Sequence, residues 1–137
     1  FPYTTLFRSG NGIMSGYSYA LARKEALADP EKRKAIADLL TRLAKAQVWA
    51  AQHPQPFAQA LGKSLNMPTA ITSSWIDDAR IRPLVFDPSL IATLQKSADF
   101  FHRYQVLPKA VDVSDAFDFS LASGANQVAR HYQENKS

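Results

Sequence analysis

One six-residue stretch constrains the fold of this chain more than any other. In Tyr17-Ser18-Tyr19-Ala20-Leu21-Ala22, Tyr17, Tyr19 and Leu21 fall on one face and Ser18, Ala20 and Ala22 on the other. Alternation at period two, with aromatics, reads as a β-strand. It is the one clear strand pattern in the 137 residues. A single strand leaves its backbone N–H and C=O groups unpaired, so it needs a sheet. The rest of the chain offers helices and no further strand. The expected fold class is therefore α/β, a mostly helical segment whose sheet is completed by residues outside it.

The helical signals are local and specific. Arg23 to Ala28 reads as a short helical turn. Asp29-Pro30 is a strong helix start, because Asp accepts from free backbone N–H groups and Pro is preorganised at the first helical position. Ile36, Leu39, Leu40, Leu43, Ala46 and Ala50 then recur at helical spacing. They predict an amphipathic helix from Pro30 to about Gln52 with that face inward. Pro54 and Pro56 open a second helix through about Leu65, with Phe57, Leu61 and Leu65 inward. Asn66-Met67-Pro68 reads as a turn and Thr69 to about Ala79 as a third helix. Arg80 to Phe86 contains Pro83 and reads as extended. Asp87-Pro88 repeats the start signal, and its helix carries Ile91, Leu94, Ala98 and Phe101 inward to about Gln105. Val106 to Val113 is expected to be an ordered loop, Ser114 to Phe117 one helical turn, and the polar end from Phe119 a frayed tail.

Composition excludes several classes. At 46% hydrophobic and 20% charged, the chain is neither disordered nor collagen-like. No apolar run reaches the roughly 18 residues of a membrane span. The absence of cysteine removes disulfides, thiolate metal sites and cysteine nucleophiles. Phe1 to Ser9, FPYTTLFRS, resembles the in-frame translation of a DNA-sequencing adapter and is set aside as non-native. Discounting Arg8 takes one unit from a net charge of +4, which leaves little case for nucleic-acid binding. The gene is then expected to begin upstream of Gly10.

Few residues suggest chemistry. His53, His102 and His131 are far apart and lack ligand spacing, so no metal is expected. Asp77-Asp78 reads as solvated helix surface, since adjacent residues point different ways on a helix. Glu31-Lys32-Arg33-Lys34 likewise reads as a solvated face. Trp49 and Trp75 read as packing residues. The serines lack a nucleophile elbow, and Gly10-Asn11-Gly12 precedes the strand pattern instead of following one, so no catalytic residue is expected. The stretch Ser15-Gly16-Tyr17-Ser18-Tyr19 is the exception. It sets phenols and hydroxyls beside a glycine that permits close approach, a grouping able to hydrogen-bond a polar ligand. Its plainer reading is a strand whose aromatics pack on a helix.

Three segments, taken in order, resemble the C-terminal part of periplasmic substrate-binding proteins of ABC transporters, in the aliphatic sulfonate/nitrate/taurine group. They are GNGIMSGYSYALARKEAL, ADPEKRKAIADLLTRLAKAQVWAAQHPQPFAQAL and IRPLVFDPSLIATLQKSADFFHRYQVLPKAVDVSDAFD. The family's helix ending "ala-x-x-trp-ala-x-x-his-pro" corresponds to Ala46 through Pro54, and its "leu-ile-pro-x-x-val/ile-asp" to Val106 through Asp112. The resemblance covers about Gly10 to Asp118. It implies the C-terminal portion of a two-lobed type II periplasmic-binding-protein fold that closes by hinge motion. Residues 10–23 would be the inter-lobe loop and strand, 24–118 the helical part and 119–137 a tail. It further implies a non-enzymatic, cofactor-free periplasmic protein that binds a small anion and delivers it to a membrane permease. Ser15, Gly16, Tyr17 and Tyr19 would contribute to the ligand site. Two alternatives stay open: a binding protein or synthase for thiamine-precursor-like or other nitrogenous solutes on the same fold, and a small helical interaction module.

Overall fold

Asp29 shows how closely local rules set the elements. Its side chain accepts from the N–H of Glu31 at 3.0 Å and of Lys32 at 3.2 Å, and Pro30 takes the first helical position. These bonds and the nearby Lys32 ammonium, at 3.1 Å, hold the Asp29 carboxyl below its ordinary pKa. The computed structural model describes residues 16–79 and 81–135. Within them lie helices α1 (Lys24–Ala28), α2 (Pro30–Gln52), α3 (Pro54–Leu65), α4 (Thr69–Ala79), α5 (Ser89–Arg103) and α6 (Ser123–Glu134). Two 3-10 turns, Val113–Ala116 and Phe119–Leu121, separate α5 from α6.

No strand occurs among the described residues, and this corrects the α/β expectation. Residues 16–23 carry no regular secondary structure. The alternation of Tyr17 to Ala22 sorts side chains onto two faces but supplies no hydrogen-bond partner. Without a second strand there is no ladder to form. The reading of the chain as the C-terminal portion of a two-lobed type II periplasmic-binding-protein fold is overturned with it. What the described residues build is all-helical.

The helix boundaries follow the expected punctuation. Pro54 disfavours helical backbone at the residue before it, and His53 accordingly sits at φ −130°, ψ 60° between α2 and α3. α3 ends at Asn66 in the left-handed conformation, φ 52°, a geometry Asn tolerates better than most residues. The polar end does not fray as expected, since Ser123–Glu134 forms α6. Ala122, Asn126, Ala129 and Tyr132 recur there at helical spacing, and all four are buried.

The described chain divides into two units: residues 24–86 with 120–135, and residues 16–23 with 87–119. In the first unit, α2 packs along α6, and α3 along α4. Both contacts are made by small residues. Gly124 of α6 sits so close to Thr41 of α2 that a Cβ there would collide with the Thr41 hydroxyl. Arg33 near the start of α2 donates to Ser120 Oγ at 2.7 Å, just before α6, and Gly124 meets Thr41 further along both, so the two helices run in the same direction. Asn126 clamps the extended segment before Asp87. Its Nδ2 donates to Phe86 O at 2.8 Å, and its Oδ1 accepts from Phe86 N at 2.7 Å. Between α3 and α4, Thr72 Oγ1 donates to Ala58 O at 2.8 Å, and Gly62 lies against the Met67 carbonyl with no room for a side chain.

In the second unit, α5 is tied to the loop that follows it. Gln95 Nε2 donates to Val111 O at 2.9 Å, and its Oε1 accepts from Val113 N at 3.0 Å. Asp112 caps the 3-10 turn by accepting from Ser114 N at 2.9 Å and Ser114 Oγ at 2.6 Å, which holds its carboxyl below the ordinary pKa.

The core is made of small side chains. Ala44, Ala50, Ala58, Ala98, Ala122 and Ala129 are buried, joined by Ile76 and Tyr132, and no large side chain among the described residues is fully enclosed. The inward face expected for α2 is therefore corrected. Leu39 is 62% exposed, Leu43 47% exposed and Ala46 exposed, while Ala50 is buried as expected and Ala44 is buried in addition. Close helix approach through Gly124 selects the face bearing Ala and Thr, and the larger leucines are left outside. On α3, Leu65 is exposed where it was expected inward. On α5, Ala98 is buried as expected, with Ile91, Leu94 and Phe101 partly covered.

Candidate functional site

Ser15 lies outside the described residues, so the site is built here from Gly16, Tyr17 and Tyr19. Gly16 has φ +67°, a left-handed conformation that glycine adopts without steric cost. A Cβ at Gly16 would meet nothing within 4 Å, so conformation, not crowding, is what suits glycine here. The chain leaving it presents two phenols. Tyr17 and Tyr19 are 37% and 40% exposed, with ring centroids 6.4 Å apart in an edge-to-face arrangement. Tyr19 meets Phe117 edge-to-face at 6.2 Å, and Phe117 stacks on Phe119 at 5.7 Å. The four rings form an aromatic row within the second unit.

This arrangement combines a left-handed backbone at Gly16, part-exposed phenols and an apolar backing. Phenolic O–H groups can donate to the oxygens of an anion, and the row can cover an alkyl or aryl body. The chain therefore brings Gly16, Tyr17 and Tyr19 together in one stretch and adds Phe117 and Phe119. Sequence reasoning missed those two phenylalanines. Their only local signal is the alternation Phe117-Asp118-Phe119, and nothing local ties it to Tyr19.

The other candidates sort out plainly. His53 stacks on Trp49 with centroids 5.3 Å apart, and its Nδ1 lies 3.0 Å from Trp49 O, so it closes the end of α2. His102 Nδ1 lies 3.1 Å from Leu107 O, where it ties the end of α5 to its loop. Asp77 and Asp78 are exposed on α4. Arg33 is committed to Leu27 O at 3.1 Å as well as to Ser120. Trp49 and Trp75, expected to pack, are 45% and 54% exposed. Among the described residues no group of three or more His, Asp or Glu stands together as a metal site. No helix among them is long and apolar enough to cross a membrane. None of the protein families, curated proteins or solved structures compared with the chain matches it.

Proposed function

We propose that the chain serves as the solute-binding component of an ABC importer in the periplasm, holding a small anion such as an alkanesulfonate and passing it to the permease. The role is non-enzymatic and calls on no cofactor. The ordered resemblance of the three segments motivates it. The observation that carries it is the left-handed bend at Gly16, followed by two half-exposed phenols on an aromatic row. A sulfonate is a permanent anion and requires donors, and Tyr17 and Tyr19 offer them.

The test is a thermal-shift titration of the 137-residue chain with ethanesulfonate, taurine and nitrate, against chloride at equal ionic strength. One or more of the anions is expected to raise the melting temperature. Tyr17→Phe and Tyr19→Phe keep the rings and remove the hydroxyls, and should suppress the rise. No rise with any of the three anions would sink the reading.

A helical interaction module is the second reading. It is favoured by the exposure of Leu39, Leu43 and Trp49 along α2.

A further inference from the structure

A groove of about 980 Å³ runs along the seam between α2 and α6, within the first unit. That is the scale of small-molecule sites, on the order of 300–1,000 Å³. Its walls are rich in donors. Lys45 and Gln52 come from α2, and Gln127, Arg130, His131 and Asn135 from α6 or the residue that ends it. The Lys45 ammonium and the Arg130 guanidinium have no ion pair or hydrogen bond among the described residues. Among the described residues Glu134 is the one carboxylate that lines the groove, beside these two cations. Asn135 Nδ2 lies 3.1 Å from His131 Nε2 and donates to His131 O at 2.9 Å. Val48 and Val128 supply apolar lining between the polar groups.

Two unpaired cations, two side-chain amides and an apolar lining share one chemical complement. From this juxtaposition we infer that the α2–α6 groove binds a small organic anion, its charged oxygens held by Lys45 and Arg130 and its hydrocarbon part on Val48 and Val128. Oxygen atoms of a sulfonate or carboxylate accept from several donors at once, which suits the amides of Gln52 and Gln127, while the amide N–H groups of Asn135 are turned onto His131. The one-carboxylate, two-cation balance disfavours a cationic ligand. This site is separate from Gly16–Tyr19 and does not rest on the transport reading.

Hexane-1-sulfonate is the probe, titrated into the ¹⁵N-labelled full chain and followed by ¹H–¹⁵N correlation spectra, with hexan-1-ol as the neutral control. The side-chain amides of Gln52, Gln127 and Asn135 are expected to shift and saturate with a dissociation constant on the order of 1 mM. Hexan-1-ol should shift them little. Lys45→Met and Arg130→Met keep the length of the stem, and each should weaken binding by about tenfold, while Lys45→Arg should retain it. The spectra of the variants report directly whether they remain folded. The inference is overturned if the three amides do not move, if hexan-1-ol moves them equally, or if both methionine variants bind as the parent does. Shifts confined to Gly16–Tyr19 would overturn the groove and support the other site. Shifts confined to the groove would do the reverse.

Discussion

Gly124 lies directly against Thr41 in the first unit. An alanine at Gly124 gains helix propensity of about 1 kcal/mol but drives its Cβ into the Thr41 hydroxyl. Gly124→Ala alone is therefore expected to destabilise the chain. Adding Thr41→Ala removes the colliding atoms and should restore stability, with a coupling of about 1 kcal/mol or more in a double-mutant cycle by urea denaturation. Additive effects would mean that α2 and α6 do not meet at this pair. Asn126 makes a second residue-scale test. Asn126→Ala removes two hydrogen bonds to the Phe86 backbone and should cost about 1–3 kcal/mol. Hydrogen exchange at the Phe86 amide should accelerate in the variant, and unchanged protection would argue against the clamp. Asn126 escaped the sequence reading because its partners lie forty residues away in the chain.

At the scale of elements, the start of α2 rests on an exposed carboxylate. The folded state lowers the pKa of Asp29 below its ordinary value, first through the Lys32 backbone N–H and then through its side chain. A depressed folded pKa means the contribution is complete above the unfolded value and is lost as pH falls through the folded one. Asp112 has the same sign, through Ser114. Thermal melts should therefore show a loss of stability as pH drops below about 4. Asp29→Asn still caps but does not titrate, so its melting temperature should fall less over that window. An identical acid profile would show that the cap does not titrate with folding. The α3–α4 pair offers a further check. Thr72 is 2% exposed and donates into the Ala58 carbonyl, so Thr72→Val, similar in shape, should cost roughly 1 kcal/mol in denaturant titration.

Across the whole molecule, the balance between buried and exposed apolar groups is unusual. Buried positions are largely alanine, while Leu39, Leu43, Trp49 and Trp75 face outward. The chain is accordingly expected to self-associate with rising concentration in sedimentation velocity. Leu39→Gln with Leu43→Gln should raise the monomer fraction at little cost in stability, because exposed substitutions usually fall within about 0.5 kcal/mol. A chain that stays monomeric before substitution would remove the interaction-module reading.

The existence and limits of α2, α3 and α4 were legible because their causes are local, whereas α6 lies in the polar end that reads as a frayed tail. Asp29-Pro30, His53-Pro54 and Asn66 act on backbone groups within a few residues, so α2, α3 and α4 begin and end where the residues indicate. Half of the candidate site was legible for the same reason, since Tyr17 and Tyr19 are near neighbours. Its other half, Phe117 and Phe119, comes from a distant segment that no local pattern connects. The remaining differences concern partners. An alternating stretch becomes a strand only beside another strand, and residues 16–23 have none among the described residues. A helix with apolar residues on more than one side buries whichever face its neighbour fits. On α2 the close approach of Gly124 chose alanine and threonine over leucine. Capping and propensity act along the chain, whereas pairing and burial act across it, and only the second kind waits on the assembled fold.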